Sequence, residues 1–136
     1  MHYDKENANG RIYTRDVCAE MLAEAQDQIR KGNMLGELGQ PDRPEVALAN
    51  ISHKVTDVWM DESTKTLQGR LEILDTPQGD NLREMLSHDI PFSVASRGIG
   101  IVDPETHEVT DYTFFSFDII PSAQSATNGY LKIDEI

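Results

Sequence analysis

Pro91-Phe92-Ser93-Val94-Ala95-Ser96-Arg97-Gly98-Ile99-Gly100 decides how this chain is read. Its first half is an apolar strand pattern, and Ser96-Arg97-Gly98 reads as a turn where backbone N–H groups can face a ligand and where a nucleophile would sit. Strand 92–102 runs on to the turn Asp103-Pro104-Glu105-Thr106. The stretch from Thr110 to Ile120, rich in aromatic and β-branched residues, then reads as its hairpin partner.

Working back toward the N-terminus, Thr76-Pro77 starts a short helix. Thr76 is its N-cap and Pro77 its first residue, and Leu82, Met85 and Leu86 face inward. Gly79 belongs to no phosphate-binding loop, because neither a second glycine nor a lysine follows at useful spacing. A first hairpin precedes it. On its leading strand, Ile51 to Met60, alternation puts Ile51, His53, Val55, Asp57 and Trp59 on one face and Val58 and Met60 on the other. The turn is Asp61-Glu62-Ser63-Thr64, and Leu67, Gly69, Leu71 and Ile73 alternate on the return strand.

Residues 32–45 hold three Gly and two Pro and read as an exposed loop in which Glu37 is a solvated or turn-fixing carboxylate. Ahead of that loop, Val17, Met21, Ala25 and Ile29 recur every fourth residue, with Cys18 and Leu22 beside them. This is an amphipathic helix capped by Thr14 and ended by Gly32. Residues 7–13 form a turn leading into Ile12 and Tyr13. The tail from Pro121 is polar, and only Tyr130, Leu131 and Ile133 can dock it.

Composition sets the outer limits. The chain has 136 residues and a 38% apolar fraction, which fits one domain with one core. A net charge of −12 repels phosphate backbones and anionic lipid, so neither nucleic acid nor membrane is an expected partner. The single cysteine, Cys18, cannot form an internal disulfide and reads as a small buried hydrophobe. No apolar run is long enough to span a bilayer. No cofactor and no metal ion is expected.

Four stretches together carry a resemblance over nearly the whole chain. They are Asn7-Ala8-Asn9-Gly10-Arg11-Ile12-Tyr13, Gly36-Glu37-Leu38-Gly39-Gln40-Pro41, the strand around Ala95, and Phe117-Asp118-Ile119-Ile120-Pro121-Ser122-Ala123. The sequence resembles the T-even-type prohead core proteases of tailed bacteriophages, which share the herpesvirus assembly-protease fold. The resemblance implies an α+β domain spanning residues 1–136: a mostly antiparallel barrel-like sheet with two or three packed helices. In that family the Gly-Glu-Leu loop continues to a histidine, the general base, and here Gln40 stands in its place. The family's Gly-Val-Ser-Ser-Arg-Gly has the nucleophile as its first serine, and here that position is Ala95. Asp118 matches an acidic position that orients the histidine.

A serine hydroxyl needs a base to take its proton, the amide of Gln does not titrate, and alanine has no nucleophile. The resemblance therefore implies a degenerate, non-catalytic, protease-derived structural or assembly protein of a phage head or neck. It would be assembled in the host bacterial cytoplasm and retained in the virion among other head, neck or scaffold proteins. One alternative is an active prohead serine protease that cleaves scaffold and capsid precursors with Ser96 as nucleophile and His53 as base. On a half-buried strand, though, His53 reads more simply as a hydrogen-bonded structural residue. Another alternative is a peptide-binding module that uses the dead cleft. Family members carry a strand ahead of the Asn-x-Asn turn, and this chain starts almost on that turn. An open sheet edge at Asn7 to Tyr13, available for self-association, is the expected consequence.

Overall fold

Thr14 accepts a hydrogen bond from Val17 N and so opens α1, Arg15–Arg30, in a computed structural model that describes residues 1–122. Gly32, at φ 73°, turns the chain out of the helix. Cys18, Met21 and Ala25 are buried on the inner face, and Met21 and Ala25 pack with Val55, Val58, Phe114 and Phe117 of the strands below.

Three strands form one antiparallel sheet in the order β1 (Leu35–Glu37), β2 (Ile51–Asp61), β3 (Thr66–Ile73). After β3, α2 (Pro77–Ser87) starts on the Thr76 side chain, which accepts from Gly79 N, and it seats Leu82 against Phe92 and Ile119. A long hairpin of β4 (Phe92–Val102) and β5 (Val109–Pro121) completes the described residues. Leu38 joins the two sheets through a parallel bridge to Ile119, where Gly39 N donates to Ile119 O at 2.7 Å. The architecture is α+β. Among the described residues, however, β3 and β4 remain separate outer strands, so the sheet is open and not a closed barrel.

Four local expectations need correction. The segment 32–45 is not wholly an exposed loop, because it contains β1 and its Glu37 is only 1% exposed. Gly36 makes this possible, since a Cβ there would collide with the His53 ring and Phe117 O, and only a glycine lets β1 lie so close. On β2 a register shift between Val55 and Asp57 inserts one residue, which reverses the alternation beyond it. Val58 is buried and Asp57 exposed, the opposite of what strict period two implies.

Ser96-Arg97-Gly98 is not a turn, because β4 runs straight through it and both register shifts of the hairpin put their extra residue on β5: Phe115 between Ser116 and Phe114, and one more between Thr113 and Thr110. Nor is the backbone of 7–13 an open edge. Ile12 N donates to His107 O, Ile12 O accepts from Val109 N, Tyr13 O accepts from Asp4 N, and Asn7 N donates to Arg11 O. Those groups bond within the chain because 7–13 folds on itself and then runs beside the start of β5. The tail residues Tyr130, Leu131 and Ile133 lie outside the described residues.

Candidate functional site

The register of the long hairpin sets Ala95 opposite Asp118, Ser96 opposite Phe117 and Arg97 opposite Ser116. Side chains alternate along a strand, so Ser93, Ala95 and Arg97 share one face of β4, and Arg97 is covered by the segment that follows β1. Arg97, Ser116, Asp118 and Glu37 are all buried, at 5% exposure or less.

Sealed charges must be paired, and here one guanidinium serves two carboxylates. Arg97 Nη2 lies 2.9 Å from Glu37 Oε2, and its Nε lies 3.1 Å from Asp118 Oδ2. Arg97 also donates to Ser116 Oγ, and through Nη1 to the carbonyls of Arg43 and Glu45, both at 3.2 Å. Arg43 closes the cluster from outside with a two-pronged contact to Glu37, at 2.6 and 2.8 Å. The segment 43–47 is thereby fastened over the sheet, with Ala47 N donating to Glu37 Oε2 as well.

The two acids respond differently. Hydrogen bonds from Arg43, joined by those from Arg97, hold Glu37 down at about 2 against the effect of burial. Burial pushes Asp118 up to about 6, although Glu37 N and Ser116 Oγ both donate to its Oδ1 and Arg97 stands beside it. Its Oδ2 is buried with the Arg97 charge nearby but without an aligned hydrogen bond.

Gln40, Ala95 and Asp118 come into one neighbourhood. Gln40 Nε2 donates to Ser96 O at 2.8 Å, one residue from Ala95, and Ala95 is the cross-strand partner of Asp118. The Asp118 carboxylate is nevertheless directed at Arg97, Ser116 and the Glu37 amide. Ser96 and His53 are not brought together. Ser96 Oγ accepts from Tyr112 Oη at 3.3 Å on the other face of β4. His53 is wholly buried, with Nδ1 against Ser52 Oγ at 2.7 Å and Nε2 against Phe117 O at 2.8 Å, and burial lowers its pKa to about 4. A neutral imidazole with both nitrogens engaged can donate to the Phe117 carbonyl and accept from Ser52, but no substrate can reach it.

The ion cluster is what sequence reasoning missed. Its one legible signal is that Glu37 and Arg97 are the charged members of two of the quoted motifs and carry opposite signs.

Residues 1–135 match the family model described as prohead core protein serine protease. The chain is also similar in structure to the capsid assembly protease gp21 of bacteriophage T4, with a TM-score of 0.78 and 24% identity over 88% of this chain and 76% of that one. No curated protein sequence matches it significantly.

Proposed function

Because this chain belongs to the prohead core protein serine protease family, we propose that it is a non-catalytic member serving head assembly as a structural protein. The observation that carries the reading is Ala95 opposite Asp118, with the Gln40 amide bonded to the neighbouring Ser96 carbonyl. At the places where the family resemblance puts nucleophile and base stand a methyl group and an amide, and neither can attack a carbonyl or take a proton. In subtilisin, losing the serine or the histidine alone lowers turnover by roughly 10⁶-fold, and the two act as a unit. The Glu37–Arg97–Asp118 cluster supports the same reading, since it ties together three of the four motifs without needing any chemistry from them. On this reading the partners are other phage head, neck or scaffold proteins, met in the host cytoplasm during prohead assembly.

The active-protease alternative needs Ser96 and His53 to cooperate. Against it stand the sealed, doubly bonded imidazole and a serine hydroxyl on the opposite side of β5 that is bonded to Tyr112. The deciding experiment incubates the full chain with a serine-directed fluorophosphonate and with purified head precursors. No adduct and no cleavage are expected. Stoichiometric labelling of Ser96, or cleavage abolished by Ser96→Ala, overturns the reading.

A further inference from the structure

The outward edge of β4 is open and has a distinct chemistry. Consecutive strand residues send their N–H and C=O groups to opposite edges. At the two ends of β4, Pro91 O accepts from Ser122 N and Asp103 N donates to Glu108 O, so odd-numbered residues face β5. Val94, Ser96, Gly98, Gly100 and Val102 therefore face away from it. Gln40 occupies the outward carbonyl of Ser96. Beyond that point, among the described residues, no backbone group from another segment meets Gly98, Gly100 or Val102.

Both faces of this stretch are unusual. On one, the Tyr112 ring lies so close over Gly98 and Gly100 that a Cβ at either would crowd it, and Tyr13 meets that ring edge-on at 5.6 Å. The other face carries Ile99 and Ile101, 62% and 60% exposed. Edge strands that end in solvent are ordinarily guarded by lysine, proline or other charges on the strand itself. None guards 98–102. Within the hairpin the charge is of one sign: Glu105, Glu108 and Asp111 are exposed, Asp103 stands at the turn, and no Lys or Arg occurs between Gly98 and Ser122, although Arg11 approaches Tyr112 from the N-terminal segment.

We propose that the Gly98–Val102 edge of β4 docks an extended segment of another polypeptide, one in which apolar residues alternate with Lys or Arg, as an added antiparallel or parallel strand. Its amides pair with Gly98 and Gly100, its apolar side chains cover Ile99 and Ile101, and its cations answer the acids at the hairpin end. Gln40 closes the edge at Ser96, so the docked segment runs away from Ala95 and does not cross it. A second copy of this chain is the poorer occupant, since it brings another −12 and the same acidic hairpin end. The proposal goes beyond the non-catalytic reading and does not depend on it, because the edge exists whatever Ala95 does.

The test titrates the ¹⁵N-labelled full chain with the peptide acetyl-Lys-Val-Lys-Ile-Lys-Val-Lys-amide. A second peptide, N-methylated at alternate residues, keeps charge and side chains but loses the donors. Shift changes and slowed exchange at the Gly98, Gly100 and Val102 amides are expected. The N-methylated peptide and the Ile101→Lys variant should each bind about tenfold more weakly or worse, and added salt should weaken the parent complex. Ile101 is exposed, so its variant should keep the wild-type circular dichroism. Equal binding by the N-methylated peptide, protection confined to other strands, or light scattering from a dimer that already hides Gly98 and Gly100 overturns the proposal. Fluorophosphonate labelling reports on catalysis alone, so the two readings fail separately.

Discussion

Arg97 Nη2 stands 2.9 Å from Glu37 Oε2, with both side chains almost wholly sealed from solvent. A buried pair of this kind adds little over a well-packed apolar substitute, but breaking it from one side strands a charge at a cost of roughly 3–5 kcal/mol. Arg97→Met leaves Asp118 without its cation and should lower the urea-unfolding free energy by about that amount. Glu37→Gln should cost less, because Arg97 keeps Asp118 and Ser116. The double variant should lose less than the sum of the singles, and strict additivity across the cycle would mean that the two side chains do not act together.

That ion pair also marks the limit of what the residues reveal in order. Both helices were legible, since Thr14 and Thr76 are cap residues before periodic apolar positions and the caps form as read. Both hairpins were legible from alternation and turn chemistry. The inserted residue between Val55 and Asp57 was not, because a bulge is fixed by the partner strand's pairing and leaves no mark on one strand's own pattern. Glu37 escapes a sequence reading for a similar reason. A short run rich in Gly and Pro looks solvated until a distant arginine, sixty residues on, is known to meet it. The neighbourhood of Gln40, Ala95 and Asp118 was legible only through the motifs, and the occupation of Asp118 by Arg97 not at all.

His53 should make the fold sensitive to acid. Its folded pKa of about 4 lies below the ordinary value near 6.5, so the unfolded chain binds the extra proton first and stability falls as pH drops from 6.5 to 4. The full effect is on the order of 3 kcal/mol. Asp118 works in the opposite sense. With its folded pKa raised to about 6, the native state takes the proton first, so stability rises as pH falls from 6 toward 3.8. The two partly cancel in the wild type. Urea unfolding of wild type and His53→Gln across pH 4 to 7 isolates the histidine: the variant should lack the loss on acidification, and parallel curves would show that His53 is not the group responsible.

On the proposed reading, replacing Gln40→His together with Ala95→Ser would restore the residue types that the family resemblance puts at these two positions. We expect no recovery of proteolysis and no fluorophosphonate adduct at position 95. Catalysis needs the base held to within about half an ångström, and Asp118, which the resemblance would make the orienting acid, is committed to Arg97, Ser116 and the Glu37 amide. Labelling at position 95 in the double variant, with none in the wild type, would show that the site retains working geometry and lost only its two reactive groups.

Persistence in the particle separates a structural protein from a maturation enzyme. A protease that matures a head can cut itself and leave, whereas a non-catalytic member, as proposed for this chain, would have no such exit. The sealed Arg97 cluster also fastens segment 43–47 over the sheet, which denies other proteases an extended backbone there. The protein should therefore be present uncut in purified mature virions at a constant number of copies per particle. Quantitative intact-protein mass spectrometry of virions and of proheads measures this directly. Equal copy numbers in the two are expected. A chain abundant in proheads but missing from virions, or present there only as fragments, would mean that it leaves during maturation and is not part of the finished head.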